Sequence, residues 1–278
     1  MLPRVVAPSV KTIGDRPKSA RGKGNRRRVR IVKGCARDTA MIKLVTFQKR
    51  APSLSRPAFE DRWRTIHGPM AARFPGLRAY MLGFSIEPGE PPADGVAQLW
   101  FDSREACQAS YASDIGRSGS ADAIQYLARR EHLLASERWV LRGGSLAQTP
   151  FKLLICGKRR TGMERAAFCE WWGDFLPALA GQVGAVSARI AVDDAGLLLN
   201  SKTGGELTLI AGEAVHDGLL EYWFADRAAL ENALALVRKR YTSLLNDRLG
   251  RHEIAALTEE VVVRPPADIY GEMEPVHG

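Results

Sequence analysis

Five residues of this chain recur at one fixed offset. Lys43, Lys49, Arg50, Phe59 and Trp63 return as Lys152, Lys158, Arg159, Phe168 and Trp172, 109 positions later. Further on, Trp100-Phe101 and Arg104 return as Trp223-Phe224 and Arg227, at an offset of 123. Internal repetition at this scale means two copies of one folding unit. The larger second offset implies an insertion in copy two, around Asn200 to Asp217.

Each copy carries the same order of signals. Residues 42–49 and 151–158 are apolar runs bounded by basic residues, which predicts strands. A helix follows each. Ser55 is its expected N-cap in copy one, with Pro57 in the first turn. In copy two, Thr161 and Glu164 have capping-box spacing. Phe59, Trp63, Ile66 and Met70 fall on one helical face, as do Phe168, Trp172, Phe175 and Leu179.

Copy one continues with expected strands at 77–86 and 96–101, a helix from Arg104, a helix over 121–135 and a last strand at 137–141. Copy two continues with strands at 187–192, 206–212 and 219–224, a helix over 227–244 and a closing strand at 259–264. The order in each half is βαββαβ, the split-βαβ or ferredoxin-like motif. Its four-stranded sheet has helices on one face only, and the bare face needs a cover. The predicted fold is therefore α+β: two tandem ferredoxin-like repeats forming an intramolecular pseudo-dimeric α+β barrel, with a chamber between the sheets. The expected divisions are a basic tail 1–40, repeat one at 41–141, a linker 142–150, repeat two at 151–264 and a C-terminal tail 265–278.

The formal charge of +9 belongs to the tail. Residues 1–40 hold 12 Lys/Arg and 2 Asp/Glu, leaving 28 basic and 29 acidic residues to the rest. With no helical or strand period, the tail reads as disordered. The favoured account is an over-long start, with Met41 the true beginning; an arm for nucleic acid and a transit peptide are the alternatives. The nearly neutral body speaks against nucleic acid as a main partner. No apolar run reaches the roughly 18 residues of a membrane helix, so the expectation is a cytoplasmic protein with no membrane partner. Cys35, Cys107, Cys156 and Cys169 form no CxxC pair. The histidines show no HxH or HExxH spacing, so no metal is expected, and no nucleotide-binding glycine pattern or GxSxG elbow occurs.

The run KLVTFQKRAPSLSRPAFEDRWRTIHGP, with the later QLWFDSREACQAS and the stretch around Glu131, resembles the EthD family across about residues 41–141. Residues 151–264 resemble it more weakly. The resemblance implies a dimeric α+β barrel, catabolism of small organic molecules and chemistry without metal or cofactor. His67 matches that family's helix-end histidine.

His67 is the candidate catalytic residue. Gly68-Pro69 should end or kink its helix, a helix C-terminus favours the charged imidazole, and histidine titrates near neutral pH. Copy two has Leu176 there. Trp63, Tyr80, Trp100, Trp223 and Lys43 are candidate substrate-binding residues lining the chamber. The plainer readings are a core role for Trp63 and a solvent-reaching one for Lys43. Glu131 and Glu253 are expected to cap or pair locally, with a catalytic carboxylate as the alternative. The expected function is a cofactor-independent oxidoreductase, lyase or isomerase acting on a small apolar organic substrate, in a monomeric pseudo-dimer or a homodimer. The competing reading is a non-catalytic ligand-binding protein or accessory to a partner oxidase.

Overall fold

The computed structural model describes residues 41–143, 149–193, 197–200, 208–211 and 216–263. The expected tails 1–40 and 265–278, most of the linker and most of the copy-two insertion lie outside the described residues.

The first half supplies β1 (Ile42–Arg50), β2 (Leu77–Ser85), β3 (Gly95–Phe101) and β4 (Leu127–Leu141). The second supplies β5 (Phe151–Arg159), β6 (Ser187–Asp193), β9 (Gly218–Phe224) and β10 (Leu249–Val263). They close into a barrel in the order β1-β3-β2-β10-β5-β9-β6-β4. Each half is thus one continuous sheet. The halves join through two antiparallel seams, β2 with β10 and β4 with β6. The strand expected at 206–212 instead contributes β8 (Thr208–Ala211), which pairs with β7 (Leu197–Asn200) in a hairpin outside the barrel.

The helices lie outside. In the first half they are α1 (Arg56–Arg62), a wide turn over Trp63–His67, α2 (Gly68–Ala71), α3 (Arg104–Ala112) and α4 (Asp114–Tyr126). In the second they are α5 (Arg165–Val183), α6 (Arg227–Arg240) and α7 (Thr242–Arg248). None of the described helices is long and apolar enough to cross a membrane.

The recurring residues hold equivalent corners. The Arg50 backbone N–H donates to Asp94 Oδ2 at 3.0 Å, and Arg159 repeats this with Asp217 at 2.8 Å. Both guanidinium groups also grip their aspartate. Ser103 caps α3 and Asp226 caps α6. The Trp63 ring lies so close to Gly95, and the Trp172 ring to Gly218, that a Cβ at either glycine would collide with the indole. The expected capping box of copy two does not form: α5 begins after Glu164, which makes no side-chain cap bond.

Two apolar cores sit between sheet and helices, one per half. The barrel interior is also filled. Lys43, Val45 and Phe47 alternate inward from β1, and Lys152, Leu154 and Cys156 from β5. Eight strands enclose a space just wide enough for side chains to fill. Among the described residues, side chains occupy the space where the chamber between the two sheets was expected. They form an apolar middle layer, with Val45, Leu133, Leu154 and Leu257 among its members, and a charged layer ringed by Trp100, Trp139 and Trp223.

Candidate functional site

Helix α1 cannot run undisturbed into Pro69. A proline ring clashes with the carbonyl four residues earlier and offers no N–H. The chain widens instead: the Gly68 N–H donates to the Trp63 carbonyl, a five-residue step. A Cβ on Gly68 would approach that carbonyl to 2.7 Å, so glycine fits the turn. The helix neither ends at His67 nor keeps its phase. One added residue in this turn rotates Ile66 out to 45% exposure and brings His67 in, buried as Trp63 is. The expected helix-end position for His67 and buried position for Ile66 are corrected by this turn.

His67 meets Asp122 of α4, Nδ1 to Oδ2 at 3.0 Å. Arg62 donates to the other oxygen at 2.5 Å. The hydrogen bond from His67, helped by Arg62, holds the Asp122 carboxyl below its ordinary range. The imidazole also packs on Tyr126, with ring centroids 5.4 Å apart. This pairing of base and orienting carboxylate is the arrangement acid–base sites use.

A cavity of about 20 Å³ opens beside His67, between the helices and the outer face of the first sheet. Thr46, Gln48, Tyr80, Arg130 and His132 face it from the strands, and Ser120 from α4. His132 lies across the sheet from Thr46, whose Oγ1 is 2.9 Å from its Nδ1. Burial, aided by Arg130, holds the imidazole well below its ordinary pKa of 6.5. It is neutral at pH 7. When Thr46 accepts from Nδ1, the Nε2 lone pair is a free base; when Thr46 donates, Nε2 carries the proton.

Four cavity residues carry buried polar atoms without partners: Gln48 Oε1, Ser120 Oγ, Arg130 Nη2 and His132 Nε2. Leaving one buried polar group unpaired costs about 1–3 kcal/mol. Four around one cavity mark a place built for a polar guest. The volume suits about one water.

The second half is the internal control. The barrel register pairs Thr46 with His132 in the first half and Ile155 with Ile254 in the second. Gln48 is matched by Gly157, and His67 by Leu176. The corresponding space is part of an apolar core that includes Ile155, Trp172, Phe175 and Ile254. Among the described residues, polar groups line a cavity at this place in the first half, and the matching residues of the second half are apolar.

Of the residues singled out in the sequence, His67 and Tyr80 line the cavity. Trp63 is core, its Nε1 donating to the Tyr80 hydroxyl at 3.1 Å. Lys43, Trp100 and Trp223 lie apart, inside the barrel, among the described side chains that fill it. Lys43 Nζ is 2.5 Å from Glu221 and 3.3 Å from Glu137. Lys152 binds Glu221 at 2.8 Å and also Glu259. Arg189 reaches Glu221 and Glu137 at 3.1 and 3.0 Å. Trp100 and Trp223 donate to Glu137 and Glu259. Burial, then Arg189, brings Lys43 down to about 8. Burial alone would raise the Glu221 carboxyl, but Lys152, Lys43 and Arg189 outweigh it and hold it well below the ordinary range. Among the described residues, these three cations and three carboxylates balance in charge.

Sequence reasoning missed Asp122, Arg130, Ser120 and Gln48, and weighed His132 only for metal-ligand spacing. The pairing of Thr46-His132 against Ile155-Ile254 was the available signal, but it needs the strand register to be seen. Glu131 and Glu253 lie within the last strands, not before them, at the barrel's other end near His216; Glu253 pairs locally with Arg251, which also reaches Glu131.

The EthD domain model matches residues 51–129, which contain His67 and Asp122. The chain carries an EthD domain. That EthD match falls wholly in the half with the cavity. A solved EthD family protein from Bacillus halodurans C-125 is 23% identical, covering 34% of this chain and 95% of its own, at a TM-score of 0.31. An anthrone oxidase-like protein shares the fold at a TM-score of 0.53 and 8% identity, covering 81% of this chain and 94% of its own. A cofactor-independent oxygenase from Streptomyces nogalater aligns at 16% identity over 34% of this chain and 91% of its own, with a TM-score of 0.28. No curated protein matches the sequence.

Proposed function

We propose that this protein is a cofactor-independent acid–base enzyme acting on a small organic molecule, with its reaction centre in the cavity of the first half. The unpartnered buried polar atoms around that cavity carry this reading. His132 takes a proton from a carbon or hydroxyl next to a carbonyl. Arg130, beside it and short of a partner at Nη2, stabilises the oxyanion that develops. His67, oriented by Asp122, handles the second proton. Oxidation, isomerisation and elimination can all begin with this proton abstraction, so the proposal covers an oxidoreductase, a lyase or an isomerase of catabolism or secondary metabolism. The anthrone oxidase-like protein that shares the fold favours the oxidoreductase member.

A substrate larger than water must part the wall formed by Ala71, Phe74, Gly119 and Ala123. The second reading is a ligand-holding accessory to an oxidase, which needs the same opening of the wall. The test is oxygen uptake and product formation with anthrone and related acidic ketones. Wild type should turn over, while His67→Ala and His132→Ile should each lose at least a hundredfold in kcat with unchanged circular dichroism. Saturable binding without conversion in wild type would select the accessory reading.

A further inference from the structure

The end of the barrel away from the charged layer gathers three ligand-type side chains from three places in the chain. Glu131 of β4 follows the inward parity of Leu133 and Ala135. Glu253 of β10 follows that of Ala255 and Leu257. His216 enters from the residues just before β9. One ligand atom of each lies within 4.8 Å of the others.

His216 is the independent sign that something belongs here. Its side chain is fully buried, and neither Nδ1 nor Nε2 has a hydrogen-bond partner. The Phe47 ring meets it edge-on at 5.0 Å, which fixes its plane. The first half has Ala93 at the matching place, so the histidine is not part of the framework that both halves share. A buried imidazole with two idle nitrogens, held beside two carboxylates, lacks a Lewis-acid or hydrogen-bonding guest.

A cation already stands between the carboxylates. Arg251 Nη2 is 3.1 Å from Glu131 Oε2 and also contacts Glu253 Oε1. Its side chain is 39% exposed, so it can swing into solvent. We infer that Glu131, His216 and Glu253 bind a first-row divalent metal ion, with Arg251 filling the site when the ion is absent. One imidazole with two carboxylates suits zinc and its neighbours. Magnesium, which demands an octahedron of oxygens, suits it poorly. Bond lengths of about 2.0–2.1 Å require the three ligand atoms to draw inward, which Arg251 prevents while it stays. Glu131 and Glu253 keep 17% and 13% of their side-chain surface in solvent, so water can complete the coordination.

The experiment is calorimetric titration of the untagged, chelator-treated full chain with zinc chloride, paralleled by the visible absorption of cobalt(II). One saturable site per chain is expected, with no saturation by magnesium. Glu131→Gln, Glu253→Gln and His216→Ala should each weaken it at least tenfold, while Arg251→Gln should tighten it at least tenfold. Should His216→Ala misfold by circular dichroism, Glu253→Gln and Arg251→Gln carry the test. Thr46→Ile/His132→Ile should bind the ion as wild type does, which separates this site from the cavity. Absence of saturable binding in both wild type and Arg251→Gln would overturn the inference. So would binding that survives Glu131→Gln and Glu253→Gln together.

Discussion

His132 and Ile254 occupy matching places in the two sheets, and their partners Thr46 and Ile155 match as well. The second half shows that this position packs well when apolar. Replacing both partners of a buried polar pair with apolar groups of similar size is close to neutral or stabilising. Thr46→Ile/His132→Ile should therefore keep or raise stability by about 1 kcal/mol in urea titration while turnover disappears; a loss of several kcal/mol would make His132 a structural residue. The same variant changes the response to acid. Burial lowers the folded-state pKa of His132 below 6.5, and it lowers His216 to about 4 and His252 in the same direction. The unfolded chain takes these protons first. The histidine contribution to stability is thus nearly complete above about pH 7 and falls as the pH drops through 6.5, by about 1.4 kcal/mol per unit for each fully depressed histidine. Between pH 6 and 5 the double variant should lose about one proton's worth of that slope, since His216 and His252 remain. Equal slopes would mean that His132 protonates freely in the folded protein.

At the level of elements, each half leans one indole against one glycine. Gly95 lets β3 pass under Trp63, and Gly218 lets β9 pass under Trp172. Gly95→Ala and Gly218→Ala should each cost about 1–3 kcal/mol through overpacking, read from chemical denaturation, and Gly95→Ala should also disturb His67 through the displaced turn. A neutral Gly95→Ala would mean that the ring moves aside freely. The recurrence of Trp63 and Trp172 was plain in the sequence because both halves need the same contact. The strands β4 and β10 were not. They were expected at 137–141 and 259–264 but run over Leu127–Leu141 and Leu249–Val263. Inward Glu131 and Glu137 and outward Arg130 and His132 make β4 polar on both faces, which removes the alternation that marks a half-buried strand. The site was hidden for the same reason. Its strand residues are polar groups facing a helix layer, and only the register brings Thr46 to His132. His67 was legible from its place after Trp63, but the wide turn that buries it depends on how Pro69 is accommodated.

Across the whole molecule, the two halves are joined by charge as well as by strand seams. Lys43 and Glu137 come from the first half, and Lys152 and Glu259 stand at the matching places in the second. Arg189 and Glu221 break this symmetry, facing Met81 and Gln98 as counterparts. Removing one partner of a buried ion network leaves an uncompensated charge, so Lys43→Met should cost about 3–5 kcal/mol in the full chain. The matched pairs predict something further about the first half expressed alone as residues 41–143. That fragment exposes the edges of β2 and β4 and an inner face carrying Lys43, Glu137 and Trp100. A second copy supplies what is missing: β2 of one meets β4 of the other at both seams, and the doubled Lys43 and Glu137 still balance. Light scattering after size exclusion should find a dimer of the fragment, and Lys43→Met should abolish it. A soluble, folded monomer would show that the sheet face does not need its cover, and would remove the physical reason for two halves in one chain.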